Sequence, residues 1–253
     1  MGARQVYQAT KKIPDLPWNT YVCRPVAAWV VSSVQHTRVT PNQITLASFL
    51  VACLAGLLLV VLPGWWGLGV AVLVFELSYV LDCADGMLAR WRGIASPEGH
   101  LLDFLMDEIK AFVILGASAV RLHFERGEVV FLLAGVLGLV FLASGVAMTT
   151  FERRPEIRAV LAARDPLGRG PSQSEPSPLP TTDAADDAAS AAGGGSLLER
   201  VLLGGAKLLV HYPSYIWLAA AVGRLDLFFW PYVAVHGAYA ARSFVWVALR
   251  FGR

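Results

Sequence analysis

The chain has 253 residues, 56% of them hydrophobic and 16% charged, with a mean hydropathy of +0.54. That balance excludes an ordinary water-soluble domain and makes a membrane protein the expectation. A net charge of +2, without any basic cluster interleaved with aromatics, excludes nucleic acid as a partner.

The first 25 residues carry Arg4, Lys11, Lys12 and Asp15 and lack the short apolar core of a cleaved signal peptide, so the transmembrane helices themselves are expected to drive insertion. Within the N-terminal arm, 1–40, residues 17–38 are too short and polar-edged to cross a bilayer. Their Val22, Val26, Trp29, Val30 and Val34 recur at helical spacing, which predicts an amphipathic helix lying on the inner surface.

Crossing about 30 Å of hydrocarbon takes roughly 20 helical residues. Residues 44–62 and 129–150 meet that length with no charge, and residues 65–81 are interrupted only by Glu76. Residues 208–223 and 227–249 are almost as apolar. A further span, 101–120, starts polar as LLDFLMDEIK and turns apolar at AFVILGASAV, which predicts a helix whose first turns line a polar site. The fold class expected is therefore all-α and polytopic, with six transmembrane helices and an N-terminal interfacial helix.

Lys and Arg of short loops collect on the cytoplasmic side. The arm, the 82–100 connection with Arg90 and Arg92, the 151–207 segment with its seven basic residues and the Arg250/Arg253 tail all fall inside on this reading. Both termini come out cytoplasmic. Residues 165–196 are Pro-, Ser-, Ala-, Gly- and Asp-rich, a composition that cannot offset the entropy of ordering, so a disordered cytoplasmic loop is expected. The organisation read from the chain is an arm and interfacial helix (1–40), four helices with the motif (41–150), a cytoplasmic loop (151–203) and two helices with the tail (204–253). Cys23, Cys53 and Cys83 form no C-x-x-C pair and read as small apolar residues.

Against this apolar background, residues 81–108 read LDCADGMLARWRGIASPEGHLLDFLMDE. An ionised carboxylate in or near a bilayer costs a few kcal/mol or more unless paired, hydrated or metal-bound, about 2.5–3.5 kcal/mol on insertion scales. Asp82 and Asp85, three apart, share a face at the end of the second span, and Asp103 and Asp107, four apart, share one at the start of the third. Two antiparallel helices can thus point four carboxylates at one place. Hard oxygen donors without His or Cys suit Mg²⁺ or Mn²⁺ rather than zinc. Two such ions would neutralise the acids and clamp a diphosphate. Gly86 and Ala89 lack bulk and would let a nucleotide pack closely; Arg90 offers a fork of donors for phosphate oxygens; Gly99 frees the connection to turn back.

Written out, the pattern is D-x2-D-G-x2-A-R-x8-G-x3-D-x3-D, from Asp82 through Asp85, Gly86, Ala89, Arg90, Gly99 and Asp103 to Asp107. It resembles the signature of the class I CDP-alcohol phosphotransferases at all eight positions. The preceding TPNQIT, Thr40 to Thr45, is similar to that family's usual start. The resemblance covers roughly residues 20–150. It implies a six-helix fold, usually a homodimer, that transfers a phosphoalcohol group from a CDP-alcohol to a hydroxyl-bearing small-molecule or lipid acceptor and releases CMP. It further implies metal binding by Asp82, Asp85, Asp103 and Asp107, with Asp107 also the base for the acceptor hydroxyl. Gly86, Ala89, Arg90, Gly99 and Asn42 would hold the CDP moiety. The expected setting is the inner cell membrane among its lipids, with the site facing the cytoplasm and phospholipid synthesis as the purpose.

Other polar residues read less sharply. Glu76 is expected to be a buried structural acid. Lys110 either binds an acceptor phosphate or counters the acids, and Arg242 in the last span either meets an acceptor phosphate or snorkels to the surface. A transporter would use inverted repeats and broken mid-membrane helices, neither of which is visible. An inactive relative is disfavoured because no motif carboxylate is lost. For the donor, CDP-diacylglycerol is the expectation from the family's commonest use; a soluble CDP-alcohol such as CDP-inositol is the alternative, prompted by a likeness of FELSYVLDCADG to enzymes joining inositol phosphates.

Overall fold

The computed structural model describes residues 2–11, 15–157, 159 and 211–251, and among these there are helices and turns but no strand. The loop expected over 165–196 lies outside the described residues. Two compact units emerge, one of Met1–Leu132 with Pro213–Phe228 and one of Leu133–Tyr212 with Phe229–Arg253.

The first unit opens with α1 (Ala3–Thr10), a helix the sequence reading treated only as part of an arm. A π-helical turn (Asn19–Cys23) then leads into α2 (Arg24–Val34). The expected surface helix exists, but it has two apolar sides. Cys23, Ala27, Ala28 and Val31 are buried in one cluster with Val80, Ala84, Met87 and Leu88, while Tyr21, Val22, Val26 and Trp29 face outward. Small residues permit the inward packing, and the larger ones stay exposed.

Three long helices follow: α3 (Pro41–Val61), α4 (Gly64–Arg92) and α5 (Pro97–Arg126). The start of α3 is set by a reciprocal cap in which Gln43 N donates to Thr40 Oγ1 at 3.3 Å and Thr40 N donates to Gln43 Oε1 at 3.0 Å, with Pro41 at the first helical position. At its far end, Leu62 and Pro63 make the turn into α4. The 82–100 connection of the sequence reading shrinks to four residues, because α4 runs on through the aspartates to Arg92 and α5 already begins at Pro97. Gly93 closes α4 in a left-handed conformation at φ +65°, and Ser96 caps α5 by accepting from Gly99 N at 3.1 Å.

The buried side of α3 is Ile44, Thr45, Ser48, Ala52, Ala55, Gly56 and Leu59. Serines clasp α3 to α4 reciprocally: Ser48 Oγ donates to Ser78 O at 2.9 Å, and Ser78 Oγ donates to Ser48 O at 2.8 Å. Small residues bring α3 and α5 so close that a methyl group at Gly56 would lie 2.6 Å from Val113 Cγ1. On the opposite side, Leu46, Leu50, Leu54, Leu57 and Val61 of α3 and Val70, Leu73 and Leu77 of α4 are exposed. Such apolar stripes are what lipid-facing helices present.

The end of this bundle away from the aspartates is tied by Arg121, which is 3% exposed. It donates to Leu59 O at 2.9 Å, Leu62 O at 2.8 Å and Gly64 O at 2.6 Å, and pairs with Glu125 at 2.7 Å. Carbonyls left over at the end of α3 are thereby satisfied. The same unit holds a 3₁₀ turn that starts in the neighbouring unit (Tyr212–Ser214), α7 (Ile216–Val222) and the first residues of α8 (Asp226–Phe251). Trp65 Nε1 donates to Ala220 O at 3.0 Å, which anchors α7 beside the start of α4.

The second unit contains most of α6 (Val130–Arg153) and of α8. Gly237 of α8 meets Phe141 of α6, and a methyl group there would lie 2.8 Å from the ring.

Among the described residues, three helices are long and apolar enough to cross a membrane: Pro41–Val61, Gly64–Arg92 and Val130–Met148. α5 has the length, at 30 residues, but its first turns carry the acids of the motif, as its polar start predicted. The span expected at 208–223 is different. Residues 208–210 lie outside the described residues, and the rest forms the 3₁₀ turn and, after Tyr215, the seven-residue α7.

Candidate active site

Where the C-terminal part of α4, the first turns of α5 and the start of α3 meet, the structure gathers the acids. Asp82, Asp85 and Asp103 each offer a carboxylate oxygen, and these oxygens all lie within 4.8 Å of one another. The spacing in the sequence explains why: α4 and α5 run antiparallel across a four-residue turn, so the inward faces of both carry their aspartates to the same level. Asp107 stands one turn beyond Asp103 on α5 and outside that cluster.

Asp82, Asp85 and Asp107 each have a holder. Asp85 is buried, and Thr45 of α3 donates its hydroxyl to Asp85 Oδ2 at 2.5 Å. Lys110, 3% exposed, ion-pairs with Asp82 and donates to Asp107 Oδ1 at 3.0 Å. Of the two readings open for Lys110, the structure has its ammonium on the acids. The donor set fits a divalent metal: three clustered carboxylate oxygens, one of them on a nine-tenths-buried residue, with no nitrogen or sulfur ligand in the group.

The remaining motif residues line the same end of the bundle. A side chain at Gly86 would have its first carbon 3.3 Å from Arg90 Nη1, so the missing side chain leaves room directly beneath the guanidinium. Arg90 is itself exposed, and its Nε donates to Thr10 O of α1 at 3.2 Å. Ala89 is half-buried, and its carbonyl accepts from Ile94 N at 3.0 Å where the chain leaves α4. Gly99 faces Asn42, whose Oδ1 would sit 3.4 Å from an added methyl group. Asn42 therefore stands beside the motif. An apolar groove lined by Asn42, Gln43, Leu46, Leu102 and Met106 opens next to them between α3 and α5. Arg242 is exposed on α8, in the second unit.

Glu76, deeper on α4, accepts from Trp18 Nε1 at 3.2 Å, and Trp18 stacks on Trp217 with ring centroids 4.9 Å apart. This supports the structural reading of that acid. Nearby, Asp15 pairs with Arg24 and accepts from Asn19 Nδ2 at 3.0 Å, while Tyr79 donates to Asn19 Oδ1 at 2.8 Å. The arm is thus fastened to α4 by polar contacts.

Two supporting residues escaped the sequence reading. Thr45 was quoted only as part of a family-like start. Arg92 was counted only as a cytoplasmic charge, yet its guanidinium donates to Val34 O and Thr37 O at 2.9 Å and to Val39 O at 2.5 Å, pinning the α2–α3 connection to the end of α4. The signal available for Thr45 was its place three residues after Asn42 on one helical face.

Comparison with known proteins agrees with this geometry. The profile of the CDP-alcohol phosphatidyltransferase family matches residues 38–171, a range that encloses every motif position. The bifunctional IPC transferase and DIPP synthase of Archaeoglobus fulgidus is 32% identical over 89 residues, which is 35% of this chain and 17% of that protein. The archaetidylinositol phosphate synthase of Aeropyrum pernix is 36% identical over 86 residues, 33% of this chain and 41% of that protein. The matched stretch spans less than half the length of either relative.

Proposed function

Since the chain belongs to the CDP-alcohol phosphatidyltransferase family, we propose that it transfers a phosphoalcohol group from a CDP-alcohol to a hydroxyl-bearing acceptor and releases CMP. The observation that carries this reading is the convergence of Asp82, Asp85 and Asp103 within 4.8 Å, beside Gly86, Arg90 and Gly99. Asp82, Asp85, Asp103 and Asp107 would hold two divalent ions, Mg²⁺ or Mn²⁺, which supply charge neutralisation for a diphosphate. Arg90 meets phosphate oxygens from above Gly86. Asp107 takes the proton of the acceptor hydroxyl; the acceptor oxygen bonds to the phosphorus nearer the alcohol, and the bond from that phosphorus to CMP breaks. Most of the catalysis lies in positioning.

For the donor we propose a CDP-lipid of the CDP-diacylglycerol type, with a polyol phosphate as acceptor. The apolar groove running from Asn42 to Met106 along exposed, lipid-facing helices suits a hydrocarbon tail. The archaetidylinositol phosphate named for the Aeropyrum relative is a product of the same kind. A second reading, CDP-inositol joined to a polyol phosphate, has the support of the Archaeoglobus match, which is named without a lipid product. We place the chain in the cell membrane as a six-span homodimer with cytoplasmic termini. Arg90 and Arg92 at the motif end argue for the site facing the cytoplasm.

The test is CMP release by purified protein with Mg²⁺, offering CDP-diacylglycerol or CDP-inositol against a panel containing inositol phosphate, glycerol phosphate and serine. Release with the lipid donor and inositol phosphate is expected. Release with CDP-inositol alone would favour the second reading, and silence from folded protein with every pair would sink both.

A further inference from the structure

Lys110 lies in a place of particular electrostatic consequence. Asp82 belongs to two arrangements at once: the three-carboxylate cluster with Asp85 and Asp103, and an ion pair with the Lys110 ammonium. Asp107 is outside the cluster, with Oδ1 engaged by the same ammonium at 3.0 Å. A buried lysine, 3% exposed, therefore bridges Asp82 of the carboxylate cluster and Asp107, whose own carboxyl also touches Asp82.

We infer that Lys110 holds the place of one of the two divalent cations until the donor arrives, so that the resting site of this chain takes one ion at Asp82, Asp85 and Asp103 and gains the second only together with the diphosphate. The inference rests on the reading of those three residues as metal ligands. Four carboxylates and one ammonium leave three formal negative charges, and one divalent ion reduces this to one. A second would make the site positive unless an anionic diphosphate arrived with it, and it would compete with the ammonium for both Asp82 and Asp107. Uncompensated charge in a half-buried site is costly, so the second ion binds more weakly than the first. The sequence offers the same point in outline, since Lys110 lies three residues after Asp107 on its helical face.

Mn²⁺ binding tests this without any reaction. Titrating purified, metal-free protein in detergent and reading free Mn²⁺ by electron paramagnetic resonance should show one tight ion per chain in the unmodified protein. In Lys110→Met, which keeps the length of the side chain and removes the charge, the second ion should bind at least about tenfold more tightly. Lys110→Gln serves as a second neutral variant, with elution profile and circular dichroism as the check on folding. Two ions of equal affinity in the unmodified protein would overturn the inference, and so would an unchanged second affinity in a folded neutral variant. Should neither variant fold, the stoichiometry of the unmodified protein still decides. Absence of Mn²⁺ binding in folded protein would remove the ligand assignment itself, and the inference with it.

Discussion

Asp85 is placed by a residue 40 positions away in sequence: the Thr45 hydroxyl on its Oδ2 fixes which way the carboxylate points. Ligand-orienting partners of this kind are worth about 10–100-fold in metal affinity. Thr45→Val, which keeps the shape and removes the donor, should weaken Mn²⁺ binding by that factor while leaving the helical circular dichroism intact; unchanged affinity would show that Asp85 is oriented by the helix alone. Asp107 has a different task in the proposed reaction. Asp107→Asn preserves the side-chain size but cannot take a proton, and it should lower CMP release by about 100-fold or more. Near-normal turnover in that variant would move the base elsewhere.

Helices rather than single contacts set the spacing between the acids and the opposite end of the bundle. Arg121 braces the α3–α4 turn by donating to two carbonyls left over at the end of α3, Leu59 O and Leu62 O, and to Gly64 O at the start of α4. Arg121→Met leaves those carbonyls and Glu125 without their partner, at a cost of about 3 kcal/mol by the usual penalty for buried unpaired groups. A lowered midpoint in thermal unfolding in detergent is the expected readout, with metal binding at the far end little affected at temperatures where the variant is folded. Gly56 acts at the middle of the same helix. With Val113 Cγ1 only 2.6 Å from where a methyl group would be, Gly56→Leu must push α3 from α5. Overpacking of this sort costs about 1–3 kcal/mol, and because Asn42 and Gly99 face each other across the same pair of helices, nucleotide affinity should fall as well. A leucine variant with unaltered melting and CDP affinity would show that the helices tolerate separation.

Taken as a molecule, the protein is built for a bilayer and carries its chemistry at one end of its first unit. The turn at residues 93–96 beside the motif and the Arg224–Asp226 turn lie at opposite ends of the α4 and α5 bundle. Replacing Cys23, Cys53 and Cys83 by serine and then introducing Ile94→Cys or Arg224→Cys should give opposite labelling by a membrane-impermeant maleimide in sealed vesicles. Ile94→Cys should react only from the cytoplasmic face. Labelling of both from one side would reject the orientation proposed from the placement of basic residues.

Much of this was legible in the linear chain because it depends on periodicity. The helical class, the apolar stretches now seen as α3, α4 and α6, and the pairing of Asp82 with Asp85 and Asp103 with Asp107 follow from 3.6 residues per turn and from the cost of charge in lipid. Spacing within a helix is a local property, and the sequence by itself determined it. Contacts between helices are not local. Only the tertiary structure decided that Asp107 stands outside the three-carboxylate cluster, that Lys110 bridges Asp82 and Asp107, and that Thr45, Arg92 and Arg121 brace elements far from them in sequence. It also decided that residues 212–222 form a 3₁₀ turn and the short α7 and that α2 hides its small residues against α4 while turning Trp29 outward. The physical reason is the same throughout: a side chain's partner is chosen by how helices pack, and the helical period determines which face a residue occupies but not what that face meets.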